Sequence, residues 1–205
     1  MLACAIFICA LCLRADDTAA PAATPSPSYH ASVLALLGDG KDIIAMNKAQ
    51  IAPARELIKK KKYLFIYWGA NWCPPCHVFV PRLIAFYNNH YATKGDFEVI
   101  FVSLDKSQSE MNTYMKQTKM PWIGLKLGSK AIPVFKERFP GDFVPRLALV
   151  DENDNMIAHS FASDGRFLGP DTALNAYLKL HGEAPLPPFK GISIVKGKGK
   201  GKKNK

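Results

Sequence analysis

The chain has 205 residues, 48% of them hydrophobic, and carries a net charge of +10. That apolar content supplies one domain of ordinary size with a core. Five cysteines, three of them within the first twelve residues, exclude a disulfide-stapled scaffold. Lys190, Lys196, Lys198, Lys200, Lys202, Lys203 and Lys205 supply seven of the positive charges, so the part that folds is close to balanced.

Leu2 to Leu13 form an apolar run broken by Arg14-Ala15-Asp16-Asp17. The run is too short to span a bilayer as a helix and reads as the core of a signal peptide over residues 1–15. It predicts export to the periplasm or another extracytoplasmic space. No basic residue precedes it, and Leu13 stands where a cleavage motif calls for a small side chain. Residues 16–30, rich in Ala, Pro, Ser and Thr, read as a linker. Val33 to Leu37 before Gly38-Asp39-Gly40 suggests a short strand and turn, and Lys59 to Lys62 close a solvated helix or loop.

Lys62 to Trp68 is an aromatic and β-branched run of strand character. Val78, Leu83, Ile84, Phe86 and Tyr87 then recur at helical spacing in a helix that Pro81 is expected to kink. Phe97 to Leu104 is apolar enough for a central strand. Ser107 with Glu110 forms a capping box, and Met111, Tyr114 and Met115 give the next helix a buried face. Ile132, Phe135 and Phe139 mark a short helix. Leu147 to Val150 and Met156 to Phe161 flank a hairpin turn at 151–155. Asp171 opens a last helix through Leu174, Tyr177 and Leu178, and Gly182 stops it. The domain therefore covers 31–183, in the α/β class with a mixed sheet and helices on both faces. The Lys/Gly-rich stretch 184–205 is too poor in apolar residues to bury a core and predicts a disordered tail, suited at most to weak contact with anionic surfaces.

The chemistry concentrates in Trp72-Cys73-Pro74-Pro75-Cys76. A strand, a short loop and a helix opening at Cys73 put that thiol at a helix N-terminus, where unpaired amides and the helix dipole favour a thiolate. Cys76 lies on the same side one turn deeper, within disulfide reach. Cys73 is then the attacking sulfur and Cys76 the resolving one. Pro74 and Pro75 fit a first turn but each removes a donor to the sulfur, so the expected acidity of Cys73 is only moderately above that of a free thiol. His77 could place positive charge nearby, although its position directs it away from the Cys73/Cys76 face. A zinc site would need two further soft ligands, and the remaining histidines have no ligand spacing. No metal and no cofactor are expected.

With Phe79 to Tyr87 behind the motif, Asp96 to Ser103 followed by Asp105, and Met120-Pro121-Trp122, the chain resembles the thioredoxin superfamily and within it the tryparedoxin and nucleoredoxin branch. The resemblance spans roughly Leu34 to His181 and implies a three-layer α/β/α sandwich around a central mixed sheet. It implies that Val144-Pro145 is a cis-proline pair facing the cysteines, and that Trp72, Trp122, Val144 and Pro145 form the substrate-binding rim. Tyr67, Phe79, His77 and the Pro140-Gly141-Asp142-Phe143 approach to the cis-proline depart from the pattern of the superfamily. Tyr67 stands where thioredoxins carry a buried acid, and Phe79 where many exported relatives carry a glutamate, so Cys76 lacks the usual proton acceptors.

These features predict a thiol–disulfide oxidoreductase, monomeric, acting on protein or small-molecule disulfides and recharged by an electron donor that the sequence does not name. A different class remains open: a non-catalytic interaction module presenting the surface around Trp72, Trp122 and Pro145, tethered by its basic tail.

Overall fold

The computed structural model describes residues 30–46 and 54–188. The expected signal peptide, the expected linker up to residue 29 and the tail beyond residue 188 lie outside the described residues. Helices α1 (Ala31–Leu37), α2 (Ala54–Lys59), α3 (Pro74–Thr93), α4 (Gln108–Thr118), α5 (Ala131–Arg138) and α6 (Asp171–Leu180) alternate with strands β1 (Ile43–Ile44), β2 (Tyr63–Gly69), β3 (Phe97–Ser103), β4 (Ile123–Leu125), β5 (Arg146–Val150) and β6 (Met156–His159). The strands make one sheet in the order β1-β4-β3-β2-β5-β6. Strands β2, β3 and β4 are parallel, whereas β5 runs against β2 and β6 against β5.

The sheet is buried on both faces because β2 and β3 are apolar at nearly every pleat, Glu98 and Ser103 of β3 being the polar exceptions. Tyr63, Phe65 and Tyr67 join Phe79, Leu83 and Phe86 of α3, Met111 and Tyr114 of α4, and Tyr177 of α6 in one core. Leu64, Ile66 and Trp68 point the other way, to Leu34 of α1, Ile58 of α2 and Phe135 of α5. Period-two alternation along a strand sorts the residues onto these faces. Each large side chain buried this way contributes roughly 1.5–3 kcal/mol. The result is the three-layer α/β/α sandwich.

Two local expectations need correction. Val33 to Leu37 is helical, not a strand, and the strand on that side is β1. A short apolar run does not distinguish the two forms by itself, and here a distant carboxylate caps the helix: Asp154 accepts from the amides of Ser32 and Val33. Lys61 is not solvated like its neighbours; it is buried, donates to the Gly95 carbonyl at 2.6 Å and lies 4.1 Å over the Tyr91 ring. Residues just outside 31–183 also make contacts with the rest of the chain. His30 is fully buried, and the Leu186 amide donates to the Asn175 side chain. Helix α3 runs on through Pro81.

Candidate active site

Parallel pairing of β2 with β3, ending at Gly69 opposite Ser103, brings the loop at 70–72 beside the turn at 104–107. Gly69 is required there, since a Cβ would collide with the Tyr67 phenol. Asp105 fastens the loop: one carboxylate oxygen accepts from the Asn71 amide at 2.8 Å, the other from the Ser103 hydroxyl at 2.8 Å. The indole N–H of Trp72 donates to the Leu104 carbonyl at 3.1 Å, while its ring remains 57% exposed beside the cysteines.

Cys73 is the N-cap of α3, with Pro74 and Pro75 in the first turn. With those two residues lacking N–H groups, the Cys76 amide is the one that reaches the sulfur, donating to Cys73 Sγ at 3.2 Å. Sulfur occupies the place usually taken by a serine or aspartate oxygen at a helix start. The two cysteines are joined in a disulfide, with Cα atoms 5.3 Å apart. Both are buried, Cys76 completely and Cys73 at 3% exposure, so the outer sulfur is the one that a partner meets.

Val144-Pro145 is cis, and the Val144 carbonyl oxygen lies 3.7 Å from Cys73 Sγ. The antiparallel register, with Trp68 opposite Arg146, sets this peptide against the end of β2. Trp72, Cys73, Cys76, Val144 and Pro145 are thus gathered at one end of the sheet.

Trp122 is not among them. Ile123 pairs with Ile100, so Trp122 precedes β4 at the opposite end of the parallel strands. There it is 1% exposed and packs on Tyr87 with ring centroids 5.5 Å apart. It is a core residue and not part of a rim around the cysteines. His77 also has another task than acidifying Cys73. Its Nε2 donates to the Asn71 carbonyl at 2.6 Å, and its ring packs on Tyr114 with centroids 4.9 Å apart. It braces the loop before the motif.

Beneath Cys76 the site is phenolic and apolar. The Tyr67 and Tyr114 hydroxyls are 2.9 Å apart, and Tyr67 packs on Phe79 and Phe101. Burial pushes both phenols well above the ordinary tyrosine value, with Asp105 adding to the shift. Tyr67 therefore replaces a buried acid with a neutral hydroxyl. The pairing of Tyr67 with Tyr114 and the role of Asp105 as a clamp are functional features that sequence spacing alone did not isolate; the polar Asp105 directly after an apolar strand was the available signal.

A family model described as thioredoxin-like matches residues 61–157. The tryparedoxin of Trypanosoma brucei brucei is 32% identical over 113 residues, covering 55% of this chain and 76% of that protein. A probable nucleoredoxin 1 of Arabidopsis thaliana is 34% identical over 87 residues, 42% of this chain but only 15% of that much longer protein. Among solved structures, tryparedoxin from Trypanosoma brucei superposes with a TM-score of 0.52 at 27% identity, covering 62% of this chain and 85% of that one. With the buried Cys73–Cys76 disulfide, the cis-proline and the sheet order already in place, the chain belongs to the thioredoxin-like family, among relatives named tryparedoxin and nucleoredoxin.

Proposed function

We propose that the protein is a thiol–disulfide oxidoreductase that reduces protein disulfides with the Cys73/Cys76 pair. The observation that carries this reading is Cys73 Sγ at the cap of α3, accepting from the Cys76 amide and 3.7 Å from the Val144 carbonyl. In the reduced protein the same amide and the helix dipole favour the thiolate of Cys73. That thiolate attacks one sulfur of a substrate disulfide, and the second substrate sulfur leaves as a thiolate and takes a proton. The mixed disulfide so formed is attacked by Cys76, which gives up its proton, bonds to Cys73 Sγ and expels the substrate thiol. Two electrons have passed from the dithiol to the substrate, leaving the disulfide seen here. A thiol or dithiol donor returns them by the reverse exchange.

The exposed Trp72 ring and the Val144 backbone offer an apolar face and an extended edge for a substrate segment. Low-molecular-mass thiols are a second substrate class: one neighbour, tryparedoxin II with a TM-score of 0.50 at 30% identity, is described as complexed with glutathionylspermidine. Insulin reduction by dithiothreitol tests the main reading. Wild type should accelerate it and Cys73→Ser should not; equal rates for the two would remove the dithiol from the mechanism.

A further inference from the structure

The loop that brings Val144 to the sulfur is also one wall of a pocket of about 440 Å³, which disulfide exchange at Cys73 does not use. Gly141, Asp142 and Phe143 line one side; Met156, His159 and Phe161, from β6 and the segment after it, line the other. The pocket is built rather than incidental. Gly141 has no room for a side chain because the Phe161 ring lies where a Cβ would be. Phe161 in turn stacks on Phe143 with centroids 6.2 Å apart and planes 14° from parallel, and Phe167 tilts against both. Buried Arg146, the residue after the cis-proline, donates to the Gly141 carbonyl and holds its guanidinium 4.6 Å from the Trp68 ring.

Three features specify what the pocket accepts. Phe143 and Met156 are 61% and 54% exposed, an aromatic and thioether surface left open to water that runs from Phe143, beside Val144, to Met156, opposite Val150. His159 lies among the lining residues at 6% exposure, and its Nε2 has no hydrogen-bond partner among the described residues. Burial, reinforced by the nearby Arg146 charge, drives that imidazole down to about 4, so it is neutral near pH 7. Charges of both signs border the pocket, the Arg146 guanidinium behind it and the Asp142 carboxylate in its lining, so the site selects no net charge. An uncharged aromatic ring fits the open ring and thioether surface, and one that bears a hydroxyl also pairs with the Nε2.

We propose that this pocket anchors an aromatic side chain of a polypeptide substrate, a few residues from the disulfide that Cys73 attacks. The inference rests on the oxidoreductase reading and deepens it, by assigning the substrate class. Phe143 is the neighbour of Val144, so an extended chain with a sulfur at Cys73 and a rise of about 3.3 Å per residue reaches the ring wall within a few residues. A small-molecule disulfide has nothing to place there.

The test compares two peptide disulfides that differ only in phenylalanine or glycine at positions flanking the cysteine. Wild type should favour the phenylalanine peptide by about tenfold in kcat/KM. In Phe143→Ala and Met156→Ala, both at exposed positions, that ratio should fall toward one. A wild-type ratio of one, or a ratio unchanged in both variants, would overturn the pocket. A second arm uses a cysteine-free version of the phenylalanine peptide, titrated against the oxidised protein and followed by NMR. Shifts at Phe143, His159 and Phe161 support the pocket even if no disulfide is turned over, in which case the oxidoreductase reading alone falls. Absence of those shifts in a protein that does reduce disulfides overturns the pocket alone.

Discussion

The carboxylate of Asp154, in the turn between β5 and β6, meets the imidazole of His30 at 2.8 Å across 124 positions of sequence. The other ring nitrogen of His30 lies 2.9 Å from the Lys61 carbonyl, so both nitrogens face oxygen atoms. Asp154 also accepts from the Ser32 hydroxyl and from the amides at the start of α1. One buried side chain thus caps a helix, binds a histidine and ties the hairpin to the first element of the domain. Replacing it by alanine leaves a buried imidazole and two amides without their acceptor. Asp154→Ala should cost about 3 kcal/mol in urea unfolding, with Asp154→Asn losing roughly half of that. A loss under about 0.5 kcal/mol for the alanine variant, the range of ordinary surface changes, would show the cluster to be incidental.

The same cluster explains why α1 was illegible while β2 and β3 were plain. Tyr63 to Gly69 and Phe97 to Ser103 announce themselves because every residue is apolar or buried, a pattern that only a strand covered on both faces needs. The capping box of Ser107 and Glu110 is local chemistry and reads directly from spacing. Helix α1 depends instead on an acceptor from the far hairpin, which no window of sequence contains. Trp122 illustrates a second kind of blindness. Its aromatic character was evident, but which end of the sheet it occupies follows from the parallel register of β3 with β4. The Phe143–His159 pocket is a third, assembled from two segments whose side chains look ordinary apart.

If Cys76 resolves the intermediate, removing its sulfur should stop the reaction halfway. Cys76→Ser is expected to form a long-lived mixed disulfide through Cys73, visible as a mass increase equal to the substrate and reversed by dithiothreitol. Cys73→Ser should form none, since Cys76 is wholly buried behind it. Equal trapping by both variants would show that the sulfurs are not differentiated in the way their burial implies.

Asp105 is predicted to act on catalysis through position alone. It holds the Asn71 amide and the Ser103 hydroxyl, and joins the His77 and Trp72 bonds in anchoring the loop that bears Trp72. Asp105→Ala should lower stability by about 1–3 kcal/mol by stranding those donors. Insulin reduction should slow by about tenfold as Cys73 loses its fixed approach. The Cys76→Ser trap combined with Asp105→Ala should still form the mixed disulfide, only more slowly. Failure to form it at all would make Asp105 part of the chemistry rather than its support.

Two buried groups should give the protein opposing pH responses. Burial raises Glu98 from its ordinary 4.5 to about 7, despite hydrogen bonds from the Val99 amide and the Tyr87 hydroxyl. The folded protein therefore keeps a proton there that the unfolded chain releases. This contribution is complete below about pH 4.5 and is lost as pH rises through about 7. Burial lowers His159 from 6.5 to about 4, so in that interval the unfolded chain takes up the proton. Its contribution is complete above 6.5 and is lost as pH falls through about 4. Each amounts to about 3 kcal/mol over its window, and in wild type they largely offset between pH 4.5 and 6.5. Single variants should separate them. Relative to wild type, Glu98→Gln should become progressively less stable as pH is lowered from 7 to 4.5, and His159→Gln progressively more stable over the same range. Urea midpoints measured at half-unit steps decide the matter, and parallel curves for wild type and both variants would mean that neither burial governs titration.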